Sequence, residues 1–184
     1  MVYVVRSLAV AAAVVAGTGS LAAQESPYSG YTGRPIKALA DEQVAALLDG
    51  AGMGLALAAE LNGFPGPKHV LELSDTLKID DDQRAHLTRI FESMRGEAVV
   101  LGKRILALER ELDSLFASGK IQRDRMGALT GEIGRLQGTL RAVHLAAHLE
   151  TAALLHVQQI RLYHEIRGYV VADHEQHRSH RQYE

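Results

Sequence analysis

DDDQRAHLTRIFESMRGEAVVLGKRILALERELDSLFA, residues 80–117, decides the fold. Apolar side chains fall at Leu87, Phe91, Met94, Ala98, Leu101, Ile105, Leu108, Leu112 and Leu115, in alternating steps of four and three. Side chains at those separations share one face of an α-helix, so the spacing is that of a coiled-coil seam. Asp80, Asp81 and Asp82 put an N-cap and first-turn negative charge where the helix start leaves N–H groups unpaired. Gly119 and Lys120 supply a stop. The pattern predicts one long helix, about 50 Å from end to end.

A second seam runs through Met126, Leu129, Ile133, Leu136, Leu140, Val143 and Ala147, again in threes and fours. The short segment between the seams forces the helices to fold back on each other, which predicts an all-α fold built on a long antiparallel helical hairpin. Gly127, Gly131, Gly134 and Gly138 lie along the second helix, and the expectation is that they admit a close backbone neighbour there.

Additional short helices are expected on either side. Residues 41–61 are rich in Ala and Leu but interrupted by Gly50, Gly52 and Gly54, which predicts a bent or broken helix packed closely against a neighbour. The segment NGFPGP, residues 62–67, breaks the chain, and Pro67 suits the first turn of a short helix through His69, Leu73 and Leu77. A last helix is expected over residues 157–171, followed by a polar tail.

At the N-terminus Arg6 precedes an apolar run over residues 8–16, then small residues up to Ala22 and Ala23. This is the layout of a secretory signal peptide, too short to span a bilayer, and it predicts export to a periplasm with no membrane insertion after cleavage. The chain is thus divided into a signal peptide at 1–23, a flexible Gly, Pro and Tyr-containing leader at 24–40, a helical domain at 41–172, and a His-containing tail at 173–184. The mature chain has room for one modest core. With no cysteine, it has no disulfide, thiol chemistry or thiolate metal site. A net charge of -2, no Trp and three Phe argue against nucleic acid as a partner.

Ile79-Asp80-Asp81-Asp82-Gln83 opens the first long helix, and Leu155-His156-Val157-Gln158-Gln159 follows the second. In this pairing, and in its two seams, the chain resembles the Spy/CpxP group of periplasmic stress proteins, whose relatives include the metal-responsive ZraP and CnrX. That family carries two LTxxQ motifs at these places. Both copies here keep the apolar first position and the Gln and lose the Thr. The resemblance covers roughly residues 67–168. It implies a Spy/CpxP-like fold, a homodimer, and either an ATP-independent chaperone for unfolded or membrane-associated clients, or a heavy-metal sensor that reports to a membrane-bound regulator. Without any ligand, Asp80 and Gln83 also read as a helix-capping pair.

Nine histidines bear on the second alternative. His144 and His148 are one helical turn apart, a spacing that aims two imidazoles at one point, although a tight site needs further donors. Imidazole suits Zn, Cu, Ni and Co. The metal-sensing branch of the family places a His pair on the short helix before the first motif. His69 matches its first member, whereas Leu73 stands at the second, and His148 stands where that branch has Met. His144 and His148 read equally as polar residues flanking the seam. His174, His177 and His180 lie in the charged tail. The carboxylates Glu109, Glu111 and Asp113 interleave with Lys103, Arg104 and Arg110 as solvent-facing partners, so no catalytic constellation is expected and no cofactor is required.

Overall fold

The computed structural model describes residues 26–169. The expected signal peptide at 1–23, the expected tail at 173–184 and its three histidines lie outside the described residues. The chain divides into two units, Met1–Gly30 and Tyr31–Glu184. Of the first, residues 26–30 form a turn leading into a single 3-10 turn, Ser29–Tyr31. Among the described residues the α-helices are all in the second: α1 Asp41–Asp49, α2 Leu57–Glu60, α3 Pro67–Glu72, α4 Asp81–Ala117, α5 Arg123–Leu154 and α6 Val157–Arg167. The protein is all-helical, with no strand among the described residues. No helix among them is long and apolar enough to cross a membrane.

α4 and α5 pack along each other. Glu111 of α4 pairs with Arg125 near the start of α5, and Arg104, about two turns earlier on α4, pairs with Glu132 at 3.4 Å further along α5. The two pairs thus fall in inverse order along the two helices. Leu129, Ile133, Leu136, Leu140 and Ala147 of the second seam are buried. On α4 the buried set is Leu87, Ala98 and Ile105 from the seam, joined by Gln83, Gly102 and Leu106, while Phe91, Met94, Leu101 and Leu108 are half-buried. Leu106 and Gly102 face a second neighbour, α1, which covers the flank of α4 beside the seam.

That contact explains the glycines. A Cβ on Gly102 would stand 2.1 Å from the Leu47 carbonyl oxygen, so α1 can lie against α4 only where α4 has no side chain. Gly50 ends α1 in the left-handed conformation at φ 69°, and its missing Cβ gives room to the Arg95 carbonyl, 2.9 Å from where it would be. Arg95 closes the same junction by donating from Nε to the Asp49 carbonyl at 3.1 Å and pairing with the Asp49 carboxylate. The residue 41–61 segment is therefore broken and closely packed, as its composition predicts. The glycines of α5 behave differently from expectation: Gly127, Gly131, Gly134 and Gly138 are exposed, with nothing within 4 Å of an added Cβ. They fall off the seam, so the close approach is made on α4.

Two apolar clusters form the core. The first joins Ile36 and Leu47 to Ala98, Ile105, Leu106, Leu136 and Leu140. Ile36 is only 2% exposed, and Lys37 reaches Asp113 of α4 at 2.9 Å, so the end of the expected flexible leader is instead part of the domain. A lone Ile without a periodic neighbour carries no pattern that a sequence reading can detect. The second cluster gathers Val70, Leu77, Ile79, Leu87, Leu155 and Tyr163. α3 stops at Glu72, short of the expected Leu73 and Leu77, because Ser74, Asp75 and Thr76 favour turn conformations over helix. The turn is closed by the Ile79 N–H donating to the Ser74 carbonyl at 2.9 Å, and the buried Ser74 hydroxyl accepts from Arg84 at 2.7 Å.

Candidate functional site

Residues 51–67 contain one ionisable side chain, Glu60, and the structure turns it inward to 6% exposure. α2 is a single Ala-rich turn, stopped by Gly63 at φ 93° and held at its end by the Asn62 amide donating to the Ala58 carbonyl. Burying a carboxylate costs several kcal/mol unless donors surround it. Here Oε1 accepts from the Tyr163 hydroxyl at 2.5 Å and the Tyr169 hydroxyl at 3.2 Å, and Oε2 accepts from the Gly66 N–H at 3.1 Å. Arg167 Nε lies 3.9 Å away and His148 Nδ1 3.6 Å away. Burial, then the bond to Glu60 and its charge, push the Tyr163 hydroxyl far above the usual phenol range, which keeps it a donor. One carboxylate thus ties α2 and the turn before α3 to α6.

Three imidazoles flank this hub. His148 donates from Nδ1 to the Phe64 carbonyl at 2.7 Å, and its ring lies over Gly66, where a Cβ would stand 2.8 Å from Nε2. His144 does not merely flank the seam: it is 3% exposed and follows Leu140 at the next inward position, while Val143 is half-buried. Its Nδ1 lies beside Gly52, and its Nε2 has no hydrogen-bond partner. Burial foremost, and then the His148 charge, hold His144 below the ordinary imidazole range. His164 is 2% exposed with neither ring nitrogen partnered; burial lowers its pKa against the opposing pull of Glu60.

His69 is engaged on α3 with Glu72, Nδ1 to Oε2 at 2.8 Å, and that bond holds the Glu72 carboxyl below its usual range. Among the described residues no three His, Asp or Glu side chains converge as a metal centre would require. The structure therefore joins His144 and His148 to the same loop but does not bring His69 to them. Two imidazoles are half of the four donors of a structural zinc site. Reading the sequence for histidine spacing passed over Glu60, Tyr163, His164 and Tyr169. One signal was available: a single Glu within a long apolar, uncharged stretch.

The two five-residue motifs are built alike. Ile79 and Leu155 enter the same apolar cluster. Asp80 caps α4 by accepting from the Gln83 N–H at 2.7 Å, and the Gln83 side chain accepts from the Asp80 N–H at 3.3 Å. At α6 the Gln159 side chain accepts from the His156 N–H at 2.8 Å. The motif thus sets helix starts, and the Gln carries most of the bonding.

With Glu60 inside, the outward face of the surrounding segment is apolar. Met53 is 45% exposed, Leu57 52%, Leu61 53% and Phe64 38%. Leu149, on α5 next to His148, is also exposed. Comparisons of the chain with family models, curated proteins and solved structures return no match.

Proposed function

We propose that this protein is an exported, ATP-independent, chaperone-like binder of non-native polypeptides, acting in a periplasm and without enzymatic activity. In this reading the antiparallel α4 and α5 form a Spy/CpxP-like helical hairpin, and two copies pair as a homodimer. The observation that carries the reading is the exposed apolar series Met53, Leu57, Leu61 and Phe64 on a segment whose one charge is turned inward. Apolar surface of this kind marks interaction sites. It is presented on a fixed scaffold, because the Glu60 bonds to Gly66, Tyr163 and Tyr169 hold the segment from below. The chain has no G-x-x-x-x-G-K-[ST] motif, so binding is an equilibrium without nucleotide.

The test is light scattering of a chemically denatured client diluted into buffer with and without stoichiometric mature protein. Suppressed aggregation by the wild type, weakened in Leu57→Ser/Leu61→Ser, is expected. Equal curves with and without the protein, across unrelated clients, would remove the reading. A second reading, a heavy-metal sensor or metal-binding resistance protein, draws support from the unpartnered Nε2 of His144 one turn from His148. Calorimetric titration with Zn, Cu, Ni and Co separates the two: a saturable site lost in His144→Ala/His148→Ala favours metal handling.

A further inference from the structure

α6 is fastened to the rest of the domain by side chains rather than by a long helix interface. A two-residue break, Leu155 and His156, separates it from α5, with Leu155 in extended conformation. Gln159 hydrogen-bonds at its first turn, and Tyr163 inserts fully buried into the second apolar cluster while bonding to Glu60. Gly168, left-handed at φ 68°, ends the helix. Directly beside Tyr163 stands His164, 2% exposed, edge-on to the Tyr163 ring at 5.7 Å and tilted against the Tyr169 ring at 5.7 Å. Neither of its nitrogens has a hydrogen-bond partner.

We propose that α6 is an acid-releasable clasp, in which a proton taken up by His164 undocks the helix from α2 and α3 and uncovers the second apolar cluster. A buried imidazolium needs two acceptors, one for each N–H, or water. The charged and titratable groups around His164 do not supply them. Glu60 of α2 is the nearest acid, and its oxygens are committed to Tyr163, Tyr169 and Gly66. Across Glu60 stands His148 of α5. Arg167 of α6 itself is a second cation near the same carboxylate, and Glu72 of α3 is engaged by His69 while feeling Arg167. Protonated His164 therefore gains solvation only by leaving, and the break at Leu155 and His156 is the hinge about which α6 leaves, giving up the Gln83–Gln159 pair and the packing of Tyr163 against Leu87. The open state takes up the proton at the ordinary imidazole pKa of about 6.5, whereas the closed state resists it. For one such group the open fraction rises about tenfold per pH unit below that value, until the closed-state pKa is reached. This inference stands independently of the chaperone reading, since it concerns the opening and not what the uncovered surface binds.

The experiment is hydrogen exchange by mass spectrometry on the full chain at pH 7.5, 6.5 and 5.5, corrected for the intrinsic exchange rate, on wild type and His164→Phe. Protection over α6 should fall by up to about fivefold between pH 6.5 and 5.5 in the wild type, and this fall should be lost in the variant, whereas any fall over α4 and α5 through His144 should remain in both. Unchanged wild-type protection over α6, or the same pH slope over α6 in His164→Phe, would each overturn the proposal. Should His164→Phe not fold, the ring proton resonances of His164 in the wild type decide. An imidazole that titrates near 6.5 with α6 still docked refutes the clasp, and one that stays neutral until α6 opens supports it.

Discussion

The side-chain amides of Gln83 and Gln159 hydrogen-bond each other in both directions, each Nε2 lying 3.0 Å from the other's Oε1. Each amide also uses its second N–H on a backbone carbonyl. Gln83 donates to Leu154 at 2.9 Å, and Gln159 donates to Leu77 and Lys78 at 3.3 and 3.4 Å. Each oxygen in addition caps its own helix. The capping account of the motif is thus right and incomplete, because the two motifs, 76 residues apart, satisfy each other.

Removing one member leaves the other buried without its partner. Gln159→Ala is expected to cost about 1–3 kcal/mol, the price of an unsatisfied buried polar group together with a lost cap. Gln83→Ala should cost a similar amount, and the double variant should cost clearly less than the sum of the two. Urea denaturation followed by circular dichroism supplies the cycle; additivity would mean that the pair is not coupled.

Two glycine-to-alanine changes should have opposite signs. Gly102→Ala places a methyl within 2.1 Å of the Leu47 carbonyl, so α1 must shift, at an expected cost of about 1–3 kcal/mol. Gly138→Ala meets nothing within 4 Å and should stabilise α5 by up to about 1 kcal/mol through helix propensity. Thermal melts of the two variants beside wild type check this.

Tyr163→Phe keeps the ring in the apolar cluster and removes the hydroxyl from Glu60. A hydrogen bond to a charged group contributes about 1.5–3 kcal/mol, so a loss in that range is expected, with the fold retained. Tyr169→Phe should cost less, its hydroxyl lying farther away at 3.2 Å in a half-buried position. Denaturant midpoints with unchanged slope would confirm that only stability has moved.

Acid should destabilise the whole domain through His144. Burial holds its folded-state pKa below the ordinary value of about 6.5, so the unfolded chain binds the proton more readily. The stabilisation is complete above about pH 6.5 and is lost as pH falls from there towards the folded value, by at most about 1.4 kcal/mol per unit. Stability measured at pH 7.5 and 5.5 should therefore fall in the wild type. It should fall less in His144→Phe, and an identical fall in both would exclude His144 as a contributor.

Periodicity and capping made the long helices legible. Asp80 to Asp82 begin α4, Gly119 lies two residues past its end, and the α5 seam from Leu129 to Ala147 is the buried face. Sequence pattern failed where a partner, not a period, decides. Gly102 and Gly138 are alike in sequence, and only the approach of Leu47 distinguishes them. Glu60 meets Tyr163 across 103 residues, a separation that no local pattern encodes. The spacing of His144 and His148 marks one side of α5, which the structure sets beside Gly52, Phe64 and Gly66. It could not show that His144 points into the core, because a helix face is assigned by its apolar residues and Val143 occupies the neighbouring position.

Turning Glu60 inward also fixes how the exterior of residues 51–67 responds to ionic strength. A surface without charge sends out no field for dissolved ions to screen, so added sodium chloride has nothing there to weaken. Excluded salts such as sulfate strengthen apolar burial. Whatever docks against Leu57, Leu61 and Phe64 should hold as well in brine as in dilute buffer, and better in ammonium sulfate.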